Sequence, residues 1–428
     1  MEGPLVYKFG GAVLRSPEGF AAMAQRLREC PEQRPVVVVI SALGRTTREL
    51  EEAAADAERG EQERAFARLC RLVETHRQYA EALLSSQRRQ ELENFLAETR
   101  AHLQGYLEGV RITGELTPRT LDMIRSYGEQ WALAMVLAFL QEHGFRVAAV
   151  EATELLCTDA RHGMAQLLVE QTAARVEQYL RPLLRPGQCV VTQGFVARSV
   201  RGDITTMGQE SSMLTAVVLA GLIGAEEVVL WTDVPGIRAC DPTVVPDAGL
   251  LPTLSYAQAR QIAHAGLRLL YPAAITLAER WGIRLRFRSA FAPGAGETVV
   301  SSTAGELVPM IVGREQVRLV IGSSAEVETT LRLSPVDGSA ILARWEDAEE
   351  LWAVVSSDIP GAHAVATGAV VTVFASGPQH MSRLFRICGQ LLAAGQLLRV
   401  WYVGQLRCFV QEGCYGEVLR ALWQELRG

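Results

Sequence analysis

The stretch VYKFGGAVLR, residues 6–15, decides how this chain is read. LVYKF reads as a short strand, GG as a tight turn, and the following SPEGFAAMAQRLREC as a helix. Two glycines between a strand and a helix let backbone N–H groups come close to a phosphate. Lys8, in the same stretch, is the only lysine in 428 residues, and the other 41 of the 42 Lys and Arg residues are arginine. A chain-wide drift toward arginine explains the arginines but not the exception. An ammonium is a compact point charge on a flexible stem, whereas a guanidinium is planar and bulky. A site that needs a point charge against a phosphate resists the exchange. The motif alone is neither a Walker loop nor a G-x-G-x-x-G turn, and any tight strand–helix turn uses glycines too.

Working outward, the pattern repeats. RPVVVVISAL is a second apolar, β-branched strand that ends in the small, polar SALGRTT. From residue 48 to about 108 the pattern is helical and charged, a large helical insertion. ELTPRTLDMIRSYGEQWALAMVLAFLQEHG reads as a helical pair ending at Gly144. FRVAAVEATELL, GQCVVTQGFVARS, EEVVLWTDV and IRLRFRSAF read as further strands. MLTAVVLAGLIG and the segment near SYAQARQIAHAG read as helices between them. Strands alternating with helices predict a mainly parallel sheet covered on both faces. Ligands in such sheets sit at the carboxyl ends of the strands. Residues 8–11, 41–47, 194 and 232–233 all follow strands and are the candidates for chemistry.

The Gly/Pro/Ser/Thr-rich FAPGAGETVVSSTAGEL, residues 291–307, is the expected domain junction. The expected domains are 1–298, with the helical insertion at about 48–130, then 299–368 as a linker with a degenerate module, then 369–428. The last of these reads as βαββα, a ferredoxin-like pattern.

A hydrophobic share of 49% describes a globular chain, and a net charge of −6 argues against a non-specific nucleic-acid surface. The N-terminus lacks the pattern of a secretory signal, and no apolar run reaches the roughly 18 residues of a membrane span. The expected location is cytoplasmic. Eight scattered cysteines, with no CxxC and no zinc spacing, predict free and mostly buried thiols.

KFGG, ELTPRT…GE, VVTQGF, WTDVPGI and DPTVVPDA stand in this order along the chain. In this it resembles the aspartate kinases of the amino acid kinase superfamily, which carry C-terminal ACT domains, over nearly its whole length. The resemblance implies a three-layer αβα sandwich with a mainly parallel sheet, followed by α+β ferredoxin-like ACT modules. It implies phosphoryl transfer from ATP–Mg²⁺ to the side-chain carboxylate of L-aspartate. That makes 4-phospho-L-aspartate, the first step toward lysine, threonine and methionine. A homodimer or larger assembly is implied, with an amino-acid effector at the ACT domains and no nucleic-acid or membrane partner.

By the same resemblance, Lys8 stabilises the transferring phosphoryl group and Gly10 and Gly11 form its phosphate loop. Thr232 and Asp233 match the nucleotide-site pair, and Arg238 and Arg268 stand at further nucleotide-site positions. Ser41, Thr47, Glu129 and Ser212 fall in the substrate pocket, with Glu129 taking the substrate ammonium. The chain departs from the family at TMGQESSM, where TLGRGGSD is common. Gln209 replaces an arginine that clamps the substrate carboxylate, and Met213 replaces an aspartate. Arg45 and Arg48 are the candidate replacements for the clamp, Arg45 the better placed two residues before Thr47, and Glu210 is the nearest candidate for the missing carboxylate. Ala12 and Val13 follow KFGG in place of small hydroxyl residues, Arg238 replaces an aromatic residue, Thr243 an arginine and Arg268 a lysine. Three readings follow: an aspartate kinase with an altered acceptor site, a non-catalytic sensor or subunit, or a kinase for another small carboxylic acid.

Overall fold

The computed structural model describes residues 3–208, 210–303, 309–323, 341–347, 350–356, 366–375, 378–402 and 405–427. The chain divides into two compact units. The first is Met1–Pro235 with Leu277–Val299, and the second is Gly236–Thr276 with Val300–Gly428.

The first unit opens with β1 (Leu5–Phe9), α1 (Pro17–Arg28) and β2 (Val36–Ile40). Four helices follow: α2 (Thr46–Glu58), α3 (Gln62–Leu83), α4 (Ser86–Thr113) and α5 (Pro118–Glu142). Then come β3 (Val147–Ala149), α6 (Ala152–Leu155), β4 (Cys157–Thr158), α7 (Val169–Arg175), β5 (Cys189–Gln193), β6 (Val196–Ser199) and β7 (Ile204–Thr206). The helix α8 (Ser212–Ile223) leads into β8 (Glu227–Thr232). The chain then passes through the second unit, with β9 (Thr253–Ser255), α9 (Tyr256–His264) and the start of α10 (Pro272–Trp281), and returns to the first with β10 (Arg284–Ser289) and the start of β11 (Glu297–Ser301).

β3, β5, β2, β1, β8 and β10 are neighbours in that order, and each adjacent pair is parallel. β2 is VVVVI and buried at every position, because helices cover both faces of the sheet. Parallel pairing puts the carboxyl ends of all these strands along one sheet edge. Phe9 is in register with Ile40 and Trp231, and Ile40 with Gln193. The residues that follow each strand therefore gather on that edge: Gly10–Gly11, Ser41, Gly194 and Asp233. Phe9 stacks on Trp231 at 6.1 Å between ring centroids, which ties β1 to β8 just beneath it.

The helical pair expected over residues 115–144 is one helix, α5. Thr117 caps its start by accepting from the Thr120 N–H. Gly128 lies inside it without breaking it. A Cβ there would stand 3.1 Å from Thr46 Cγ2 and 3.3 Å from Ala42 Cβ, so the glycine serves close packing of α5 against the loop after β2. The strand expected over FRVAAVEATELL is shorter: β3 covers three residues, and the turn of α6 follows.

In the second unit, β12 (Met310–Ser323), β13 (Ile341–Asp347), β14 (Glu350–Ser356), β15 (Ala366–Phe374), α11 (Pro378–Ala393), β16 (Leu397–Tyr402), β17 (Leu406–Gln411) and α12 (Tyr415–Arg427) complete the chain. The strands form one antiparallel sheet in the order β13-β14-β12-β15-β17-β16. From β15 onward the run is βαββα, an ACT-like module. β12 to β14 lie where only a less regular relative was expected, and part of that segment lies outside the described residues. All eight cysteines are free, five of them buried.

Candidate active site

Lys8 sits on the central strand β1, flanked by Val39 of β2 and Leu230 of β8. Its side chain bends toward the glycine turn: a Cβ on Gly10 would stand 3.1 Å from Lys8 Nζ. Gly11 is tighter still, since a Cβ there would meet the Ala42 carbonyl oxygen at 2.4 Å. The Gly44 N–H donates to the Gly11 carbonyl at 3.1 Å, and Gly44 has φ +56°. A backbone hydrogen bond thus joins the loops after β1 and β2, and any side chain at Gly11 would part them.

Glu129, on α5, is 2% exposed. Its carboxylate accepts a hydrogen bond from the Ala42 backbone, and Oε2 has no partner among the described residues. Burial pushes its pKa up to about 8, opposed by the Ala42 hydrogen bond and the Lys8 charge. Burial in turn lowers the Lys8 pKa, while the carboxylates of Glu210 and Glu129 oppose the shift. An unpartnered buried carboxylate oxygen costs free energy unless a cation or donor meets it. Glu129 holds such an oxygen within the electrostatic reach of Lys8.

Ser41 Oγ donates to Ser212 Oγ at 3.0 Å. Ser212 begins α8 and lies against Gly194, where a Cβ would meet Ser212 Cβ at 2.4 Å. Thr47 is half-buried in the first turn of α2. Two residues before it, Arg45 is exposed and makes no ion pair among the described residues. Thr232 Oγ1 donates to the Val234 carbonyl at 2.6 Å and accepts from the Val234 N–H at 3.2 Å, which orders the turn after β8. Asp233 pairs with Arg15 at 3.4 Å.

The structure thus brings Lys8, Gly10, Gly11, Ser41, Glu129 and Ser212 to one end of the sheet, with Thr47, Thr232 and Asp233 on the loops of the same edge. Arg238 and Arg268 belong to the second unit. There Arg238 donates to the Ala248 carbonyl at 3.0 Å, and Arg268 is exposed. Gln209 lies outside the described residues. Met213 is buried at the start of α8 and packs as a core residue. Glu210 is exposed and adopts φ +63°, a left-handed conformation that favours glycine.

Three features were not singled out in the sequence. Phe195, just after Gly194, is buried with φ +69°. Asp122 is fully buried and accepts from the Thr206 hydroxyl, from the Gly163 N–H at 2.8 Å and from His162 Nδ1 at 3.0 Å. It fastens α5 to the strand that leads into TMGQESS. Arg15 holds Asp233. The motif VVTQGF pointed near Phe195; nothing local pointed to Asp122.

Residues 3–289 match the amino acid kinase family. The chain belongs to that family. Among similar curated proteins, aspartokinase 2 of Arabidopsis thaliana chloroplasts is 29% identical over 69% of this chain and 54% of its own length. An aspartokinase of Thermus thermophilus is 34% identical over 46% of this chain and 47% of its own length. This amino acid kinase therefore matches about half the length of those relatives. The crystal structure of E. coli aspartokinase III with aspartate and ADP in its R-state superimposes with a TM-score of 0.81. That match covers 99% of this chain and 100% of the other at 22% identity. The T-state of the same enzyme, in complex with lysine and aspartate, gives 0.71. At that identity the structures establish the shared fold.

Proposed function

We propose that this amino acid kinase is a cytoplasmic aspartate kinase that transfers the γ-phosphoryl group of ATP to the side-chain carboxylate of L-aspartate. The observation that carries this reading is Glu129, a buried carboxylate with one unpartnered oxygen within the electrostatic reach of Lys8. An amino-acid ammonium is the group such an oxygen would take. Support also comes from the sequence relatives, which are aspartokinases.

In this reading the backbone of Gly10 and Gly11 faces the phosphates and Lys8 places its charge on the transferring group. Ser41, Thr47 and Ser212 supply hydroxyls around the acceptor. Mg²⁺ would neutralise charge on the β- and γ-phosphate oxygens, held chiefly through the nucleotide. Thr232, Asp233, Arg238 and Arg268 are assigned to the nucleotide by resemblance. The acceptor carboxylate, with an ordinary pKa near 3.9, is already ionised at neutral pH. It needs no base to attack phosphorus, so a methionine at 213 does not remove a required proton acceptor.

Exposed Phe385, Leu392, Leu398 and Tyr402 on α11 and β16 are the surface we assign to self-association, with an amino-acid effector bound in the paired modules. β16 is the last strand of the sheet among the described residues.

The test incubates the full chain with ATP, Mg²⁺, L-aspartate and hydroxylamine. Aspartyl hydroxamate that depends on both substrates is expected. Burial of Met213 and the altered 209–213 segment favour a second reading, a non-catalytic relative. ATP and aspartate binding by calorimetry without hydroxamate would establish that second reading instead. Hydroxamate formed from a different small carboxylic acid alone would change the acceptor.

A further inference from the structure

Cys388 and Cys408 face each other in the C-terminal module. Cys388 lies on α11, between Leu384 and Leu391 on the buried stripe of that helix. Cys408 lies on β17, in register with Val371 of β15 and Val400 of β16, in the sheet the helix covers. Their sulfurs are 3.7 Å apart, and both side chains are at most 1% exposed. The other six cysteines have no such thiol contact among the described residues. Cys157 and Cys240 are buried as well, and neither has a thiol–thiol hydrogen bond among the described residues.

We infer that Cys388 and Cys408 are a modification site, a dithiol that a small hydroperoxide converts to an intramolecular disulfide. A disulfide needs its sulfurs at about 2.05 Å, so the pair must close by about 1.7 Å, within reach of side-chain rotation. The two thiols share an S–H···S hydrogen bond in which either sulfur can donate. Cys388 is carried by the helix that must open to admit an oxidant, so its sulfur is reached first and is the attacking one.

The Cys388 thiolate attacks one oxygen of the hydroperoxide. The S–O bond forms, the O–O bond breaks, and the leaving oxygen takes a proton as water or an alcohol. Cys388 is now a sulfenic acid, oxidised by two electrons. Cys408 sulfur then attacks Cys388 sulfur. The S–S bond forms, the S–O bond breaks, and the departing hydroxide leaves as water with the Cys408 proton. Two thiols and one hydroperoxide yield a disulfide, one water and one water or alcohol. Burial restricts the oxidant to a small molecule that enters when α11 opens locally. The product staples α11 to the sheet and closes a loop over a separation of 20 residues.

The test exposes the full-length folded chain to stoichiometric hydrogen peroxide and maps peptides by mass spectrometry before and after dithiothreitol. A peptide joining Cys388 to Cys408, lighter by two hydrogens and reversed by the reductant, is expected. The free-thiol count then falls by two, and the thermal midpoint rises by several degrees. In Cys408→Ala, a sulfenic-acid probe should label Cys388; in Cys388→Ala, Cys408 should stay unlabelled. The wild-type map decides the question if either variant fails to fold. Oxidation confined to the exposed Cys70, irreversible over-oxidation of Cys388, or a disulfide between any other pair overturns the proposal.

Discussion

Ser41 Oγ donates to Ser212 Oγ at 3.0 Å although 171 residues separate them in sequence. The bond joins the end of β2 to the start of α8, and Gly194 at the end of β5 leaves room for it. Replacing Gly194 by alanine would force a Cβ to 2.4 Å from Ser212 Cβ and 2.6 Å from its Cα. Backbone cannot yield cheaply at such contacts. Gly194→Ala is therefore expected to cost roughly 1–3 kcal/mol of stability and to reduce turnover at least about tenfold by displacing Ser212. Denaturant titration and steady-state kinetics on the same preparation check both; wild-type kinetics would remove Ser212 from the acceptor pocket.

In the proposed reading, Glu129 makes aspartate binding depend on pH. With its pKa raised to about 8, it holds a proton at neutral pH in the free protein. An ammonium that pairs with it must displace that proton. The aspartate KM is expected to fall as pH rises from about 6 to 8, with proton uptake by buffer in calorimetry. The stability sign runs the other way. The unfolded carboxyl ionises in its ordinary range, while the folded one keeps its proton up to about pH 8. This group therefore lowers folding stability as pH rises across that window. Glu129→Gln should abolish the proton release and raise the aspartate KM far more than the ATP KM. Equal effects on both KM values would make Glu129 a folding residue.

Lys8→Arg keeps the charge but not the shape. Lys8 Nζ already lies 3.1 Å from where a Cβ on Gly10 would stand, so the turn has little room for a planar head. A displacement of about 1 Å costs on the order of 100-fold in turnover. Full activity in this variant would make the lone lysine an accident of composition.

What the sequence made legible was the local part of this arrangement. VVVVI and VVLWT are short β-branched runs, and small polar residues follow them, so strands and site edge could be read together. Lys8, Gly10 and Gly11 stood out because composition and turn chemistry mark them without any partner. Asp122 did not, because its hydrogen-bond partners Thr206, Gly163 and His162 lie far along the chain. α5 reads as a helical pair in the sequence but is one helix, and the glycine inside it, Gly128, answers to the approach of Thr46 and Ala42, which local sequence does not show. The left-handed Phe195 and Glu210 are set by loop geometry that no propensity encodes.

The apolar patch on the C-terminal module gives a test of assembly. Phe385 and Tyr402 have rings 6.3 Å apart and are 48% and 53% exposed. Such paired exposed aromatics are the kind of anchor that interfaces bury. The double variant Phe385→Glu, Tyr402→Glu should shift sedimentation to the monomer while circular dichroism stays unchanged. An unaltered sedimentation coefficient would move the interface elsewhere.

Arg45 carries the last prediction. In the proposed reading the aspartate α-carboxylate needs a partner as well as its ammonium, and by the resemblance Gln209 stands in place of a clamp arginine. A carboxylate taken into a pocket without a cation is penalised by several kcal/mol. Arg45 stands just before α2, two residues from Thr47, on the loop that also carries Ser41 and Ala42. It is exposed, and no acidic residue among the described ones holds it in an ion pair, so its guanidinium is free to turn toward a ligand. Glu210, left-handed at the entrance to α8, acts on the Lys8 ammonium. Arg45→Ala should therefore raise the aspartate KM at least about 30-fold, the equivalent of roughly 2 kcal/mol, and leave the ATP KM within twofold. Arg45→Lys should recover part of the loss, because a point charge replaces half of a bidentate contact. If Arg45→Ala leaves the aspartate KM unchanged, the carboxylate is met by another group. Gln209→Arg with Met213→Asp then becomes the informative variant: a gain in hydroxamate formation there would locate the missing clamp at the start of α8.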